Sequence, residues 1–145
     1  MQYRANLALR WVLLSALTIT TALQAAPISP RCHTPQLERT LHDSLGHIDA
    51  LGQKYGTHST QVADAYYRLA NFMSSHKCFR EAIRYHKKAL AIREEKLGPC
   101  HEDTVRSYRE IGNLYRMIDD PESARYYHAK ALKASQKAFC EVWGK

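Results

Sequence analysis

Four side chains able to hold an anion or an amide recur on one helical spacing: Arg106, Arg109, Asn113 and Arg116. On a helix the steps i, i+3, i+7 and i+10 place them on one face, away from Tyr108, Ile111 and Tyr115. Guanidinium groups grip carboxylates through paired N–H···O bonds, and an amide side chain both donates and accepts. Forty-two residues earlier, the matching face presents Asp64, Tyr67, Asn71, Ser74 and Ser75. An ordinary solvated helix face is also charged. Residue types alone leave both readings open.

Histidine and cysteine supply the other reactive groups. His76 stands near Cys78, and Cys100 precedes His101, but no CxxC, HxxxH or HExxH spacing joins them into a metal site. His86 and His128 fall on matching positions of a repeat and are expected to fill space, each making one hydrogen bond. No Gly-rich phosphate loop, nucleophile elbow or paired-carboxylate constellation is present. The expectation is a protein without catalytic residues, cofactor or metal. A metal- or redox-responsive protein using Cys and His is the alternative that the same residues keep open.

The chain has 145 residues, the length of one domain, with 21 Lys+Arg against 14 Asp+Glu, a formal charge of +7. That excess permits acidic partners, and the absence of a dense basic run argues against nucleic acid. Arg4 and Arg10 followed by the apolar stretch 11–23 read as a secretory signal, with cleavage after Ala25 (residues 1–25). Thirteen residues interrupted by Thr and Ser are short for a span of about 20, so no stable membrane anchor is expected after cleavage. The mature chain is then exported, periplasmic or secreted, and retains 19 basic against 14 acidic side chains. All four cysteines, Cys32, Cys78, Cys100 and Cys140, lie in that exported part. An even number there implies disulfides, with three pairings open by spacing alone.

A self-similarity of 42 residues positions these groups. Lys54, Gly56, Tyr66, Asn71, Ala82, Tyr85, His86, Lys88, Ala89 and Leu90 meet Lys96, Gly98, Tyr108, Asn113, Ala124, Tyr127, His128, Lys130, Ala131 and Leu132 without a gap. Such a period means stacked supersecondary units that bury their apolar faces against one another. After an extended lead-in (26–33), Thr34-Pro35 looks like a helix start, and an apolar stripe runs from Leu37 to Tyr55 before Gly56. Helices follow over 60–75 and 79–97, then from 102 to about 117, and over 121–140. The expected inward residues of the last helix are Ala124, His128, Ala131, Leu132 and Phe139. Most of the tyrosines, Tyr126 among them, are expected to pack between helices.

The pattern resembles the tetratricopeptide repeat, a helix–turn–helix unit that stacks into a right-handed superhelix. Its residues here are Tyr66, Leu69, Ala70, Met73, Ala82, His86 and Ala89, repeated as Tyr108, Ile111, Gly112, Tyr115, Ala124, His128 and Ala131. The 42-residue period and the stretch 85–108 are similar to the kinesin light chain-type repeats. The resemblance implies an all-α chain, a short right-handed solenoid of five helices. It consists of a leading helix (34–56), one repeat over 58–98, a second over 100–140, and a tail over 141–145. In such a stack Cys32 and Cys78 would lie at one end and Cys100 and Cys140 at the other, which implies the pairs Cys32–Cys78 and Cys100–Cys140. It also implies a concave groove in which Tyr67, Asn71, Arg106, Arg109, Asn113 and Arg116 hold a peptide or protein partner, acidic in character. The two exposed ends of so short a stack invite docking into an oligomer or a larger assembly.

Overall fold

Thr34 and Pro35 start the first helix as their chemistry dictates. The Thr34 side chain accepts the Leu37 N–H at 3.3 Å, and proline takes the first helical position, where its missing N–H is not needed. The computed structural model describes Cys32, residues 34–136 and Cys140. These residues form five helices: α1 (Pro35–Tyr55), α2 (Thr60–Ser75), α3 (Phe79–Leu97), α4 (Glu102–Met117) and α5 (Pro121–Ser135). No strand occurs among the described residues. Each helix packs on its neighbour in the chain, the arrangement of a short all-α solenoid. The expected signal (1–25), most of the lead-in (26–33), Phe139 and the tail (141–145) lie outside the described residues.

The sequence repeat is also a backbone repeat. Lys77 and Asp119, in the turns inside the two units, both adopt positive φ (64° and 57°), and Gly56 and Gly98, between units, do the same (91° and 83°). At the first turn Cys78 N–H donates to Met73 O (3.0 Å) and Lys77 N–H to Ser74 O (2.9 Å). At the second, Asp120 N–H donates to Tyr115 O (3.0 Å) and Asp119 N–H to Arg116 O (3.3 Å). Both are Schellman closures, which satisfy the last helical carbonyls by placing one residue in the left-handed region. The restarts differ in chemistry. Asp120 caps α5 by accepting the Ser123 N–H at 3.0 Å, which holds its carboxyl below the usual range. Cys78 makes no side-chain cap, its sulfur being committed elsewhere.

One core cluster runs from Leu37 and Ile48 of α1 through Val62, Leu69, Ala70 and Met73 of α2 to Ala82, Ile83 and Tyr85 of α3. A second joins Leu90 of α3 to Val105, Tyr108 and Ile111 of α4 and to Ala131 and Ala134 of α5. Ala70 and Ala82 are fully buried, which lets α2 and α3 approach closely. At Gly112, the partner of Ala70 in the repeat, a methyl group would stand 2.8 Å from the His128 ring. The closer seat of that ring demands glycine.

Four sequence expectations are corrected. The last helix ends at Ser135, five residues before Cys140: Gln136 is extended and its N–H donates to Lys133 O. No glycine or proline marks that stop, so the sequence pattern overran it. Leu132 is 63% exposed: among the described helices, none packs on α5 as α4 packs on α3. Tyr126 is 56% exposed on the same helix, touched by Lys130 Nζ at 5.5 Å from its centroid and by the edge-on Tyr127 ring at 5.2 Å. The buried Nδ1 of His86 has no hydrogen-bond partner among the described residues, its ring being held by packing instead.

Candidate functional site

The face shared by α2 and α4 is organised by a residue absent from the sequence reading, Arg93 of α3. Its side chain follows Ala82, His86 and Ala89 along the buried stripe and is only 3% exposed. Burying a guanidinium requires partners, since an unpaired interior charge is strongly unfavourable. Arg93 has them on two helices: Asp64 Oδ1 of α2 at 2.7 Å, and Ser107 Oγ (2.8 Å) and the Asp103 carbonyl (3.2 Å) of α4. The guanidinium also lies 4.5 Å from the centroid of the Tyr67 ring, a cation–π contact. The Tyr67 ring in turn meets the His86 ring edge-on at 5.0 Å. Burial first, and the Arg93 charge second, lower the pKa of His86 to about 4. The signal for Arg93 was present: a basic residue in register with the apolar stripe must be either misplaced or paired.

A second polar link crosses the units farther along. Glu94 of α3 accepts the Tyr108 hydroxyl of α4 and meets Lys130 Nζ of α5 at 3.5 Å. Lys130 Nζ stands 5.2 Å from the Tyr108 ring centroid. Burial and the bond to Glu94 both push the Tyr108 phenol well above its ordinary pKa, so it stays a donor. Lys87 Nζ similarly lies 5.2 Å and 5.7 Å from the Tyr115 and Tyr127 rings. These lysines are structural clamps as much as surface charges.

The six residues expected to meet a partner fall into three states. Tyr67 is half-buried under Arg93 and against His86, so much of its ring is already engaged. Arg106 is exposed but paired within its own helix, to Glu102 at 3.0 Å and Asp103 at 3.4 Å. Asn71, Arg109 and Arg116 are exposed and Asn113 is half-buried, and none of their side chains has a hydrogen-bond or ion-pair partner among the described residues. Arg109 also borders a groove of about 270 Å³ with Val105, His128, Ala131, Leu132 and Ser135. The four residues on α4 keep the i, i+3, i+7, i+10 order on one continuous helix.

All four cysteines are placed in pairs. Cys32 is joined to Cys78 and Cys100 to Cys140, with Cα atoms 5.6 Å apart in each pair. The first pair ties the lead-in to the turn between α2 and α3, and the second ties the start of the outer unit to the chain beyond α5. His58 and Glu95 meet at 2.7 Å, and His101 lies 3.6 Å from Asp103 as an N-terminal cap of α4. No group of three or more His, Cys, Asp or Glu side chains converges as a metal site among the described residues. None of the described helices is long and apolar enough to cross a membrane.

Residues 61–137 match the family model described as tetratricopeptide repeat. That stretch runs from the first turn of α2 past the end of α5 and covers more than half of the chain. No curated protein matches the sequence.

Proposed function

The chain belongs to the tetratricopeptide repeat family, and from that membership we propose that it is a non-enzymatic interaction module holding a peptide or protein along a concave groove faced by α2 and α4. Repeats of this family mediate protein–protein interaction. The observation that carries the finer reading is the pair Arg109 and Arg116, two exposed guanidinium groups on α4 without an ion-pair partner among the described residues. Seven residues of helix separate them by about 10 Å, the length of two turns. Carboxylates on an extended segment meet that spacing, and Asn71 and Asn113 supply amides for the ligand backbone. Arg106 contributes less, since Glu102 and Asp103 already occupy it. The preferred partner is therefore acidic. The paired cysteines favour an oxidising compartment, in keeping with export.

The test is a crosslinked pull-down from the native exported fraction, with wild type beside the Arg109→Ala, Asn113→Ala double variant. A partner retained by wild type and lost by the variant, with unchanged helical circular dichroism, supports the groove. Equal recovery by both proteins moves the interface elsewhere on the stack.

A further inference from the structure

The outer unit presents a surface whose inner copy already carries a helix. Val105, His128, Ala131, Leu132 and Ser135 line a groove of about 270 Å³ between α4 and α5. Their counterparts 42 residues earlier are Ala63, His86, Ala89, Leu90 and Arg93, all of them buried. What lies on that inner copy is α4. Its Tyr108 and Ile111 share an apolar cluster with Leu90, and its Ser107 hydroxyl accepts a hydrogen bond from Arg93 at 2.8 Å. On the outer copy Leu132 is 63% exposed, and among the described helices none packs there as α4 packs on α3. The molecule thus shows what kind of element this surface seats: an amphipathic helix laid along its apolar stripe.

Two exchanges between the units change what that helix must bring. Ser135 replaces Arg93, so no buried guanidinium has to be satisfied. Arg109 replaces Tyr67 and sets a cation at the edge of the groove. Arg125, about two turns before Leu132 on the same face of α5, and Lys133 beside it are also exposed. None of these three side chains has an ion-pair partner among the described residues. A second copy of the chain would bring the same cations against themselves, and like charges across an interface oppose association. We propose that this face docks an amphipathic helix of another protein, apolar along its contact stripe and acidic along its flanks. Its apolar side chains cover Val105, Ala131 and Leu132, and its carboxylates meet Arg109, Arg125 and Lys133. The site is separate from the concave groove: Arg109 borders both, but neither Asn71 nor Asn113 lines this one.

A fluorescently labelled synthetic peptide tests this on the full chain. It copies Glu102–Met117, the helix that covers Leu90, and carries Arg106→Glu, Arg109→Glu and Arg116→Glu in the peptide to give it acidic flanks. Anisotropy at low ionic strength is expected to show saturable binding in the micromolar range. Leu132→Glu in the protein is expected to weaken it about tenfold or more, since a carboxylate would then face the apolar contact. Helical circular dichroism should not change, because the position is exposed. The peptide with its arginines restored is expected to bind several-fold more weakly, a gap that added salt narrows. Absence of saturable binding overturns the proposal, as does binding that Leu132→Glu leaves intact. Binding lost on Asn113→Ala instead assigns the peptide to the concave groove and equally overturns it. Equal affinity of the two peptides removes the acidic partner. A dimer in sedimentation that Leu132→Glu dissolves gives the face to a second copy.

Discussion

The inner unit, α2 with α3, and the outer unit, α4 with α5, share a backbone and differ in what surrounds it. Their turns close through the same pairs of carbonyls, 42 residues apart, with Lys77 and Asp119 in the same left-handed conformation. Their apolar residues do not share one fate. Leu90 is covered and Leu132 is exposed; His86 is buried and His128 half-buried. Arg93, sealed between α2 and α4, has Ser135 as its counterpart at the open rim. The lesson is physical. Turn geometry is a local property that each repeat writes for itself, whereas burial belongs to the interface with the next helix.

The largest test of this contrast uses the two covalent ties. They close loops with sequence separations of 46 and 40, so the chain-entropy argument assigns each about 4 kcal/mol through the unfolded state. Replacing Cys32 and Cys78 by Ala, or Cys100 and Cys140 by Ala, is expected to lower the stability by nearly equal amounts in urea unfolding. A markedly larger loss at the outer pair would show that the end of the stack depends on its tie for native contacts as well.

A smaller and more local comparison sets Leu90→Ala against Leu132→Ala. Truncating a buried leucine typically costs about 3 kcal/mol. The same change at Leu132 is expected to cost about 1 kcal/mol or less. Equal losses in urea midpoints would mean that the outer face is covered as fully as the inner one.

The mildest perturbation is pH. His86 has a folded pKa of about 4, below its unfolded value near 6.5, so the unfolded chain takes up a proton that the folded chain refuses. Stability is therefore expected to fall as pH drops from 6.5 toward 4, with a slope approaching 1.4 kcal/mol per pH unit from this residue, and the slope ends below pH 4. His86→Phe should remove that component while keeping the ring contact with Tyr67. Thermal midpoints of the two proteins at pH 7, 5.5 and 4.5 measure the difference, and parallel curves would exclude His86 as its source.

Much of the fold was legible because its determinants are short-range. Apolar spacing marked the helices, Gly56 and Gly98 marked breaks between them, and small residues at Ala70, Gly112, Ala82 and Ala124 marked close crossings. The end of α5 was not legible, since Gln136 leaves the helix without any glycine or proline to announce it. The candidate face was legible only as a set of residue types. Nothing in the spacing of Arg106, Arg109 and Arg116 says that the first is paired within its own helix, whereas the other two lack ion-pair partners among the described residues.

By itself, then, the sequence determined the repeat, the helices and their turns, because those follow from contacts within a few residues along the chain. Tertiary structure alone decided which charges are engaged and which apolar side chains face water. Arg93 illustrates the reason: its partners Asp64 and Ser107 lie 29 positions before and 14 positions after it. Only the stacking of α2, α3 and α4 brings such distant groups within bonding range, and only the packing around each helix leaves Leu132 63% exposed where its counterpart Leu90 is covered.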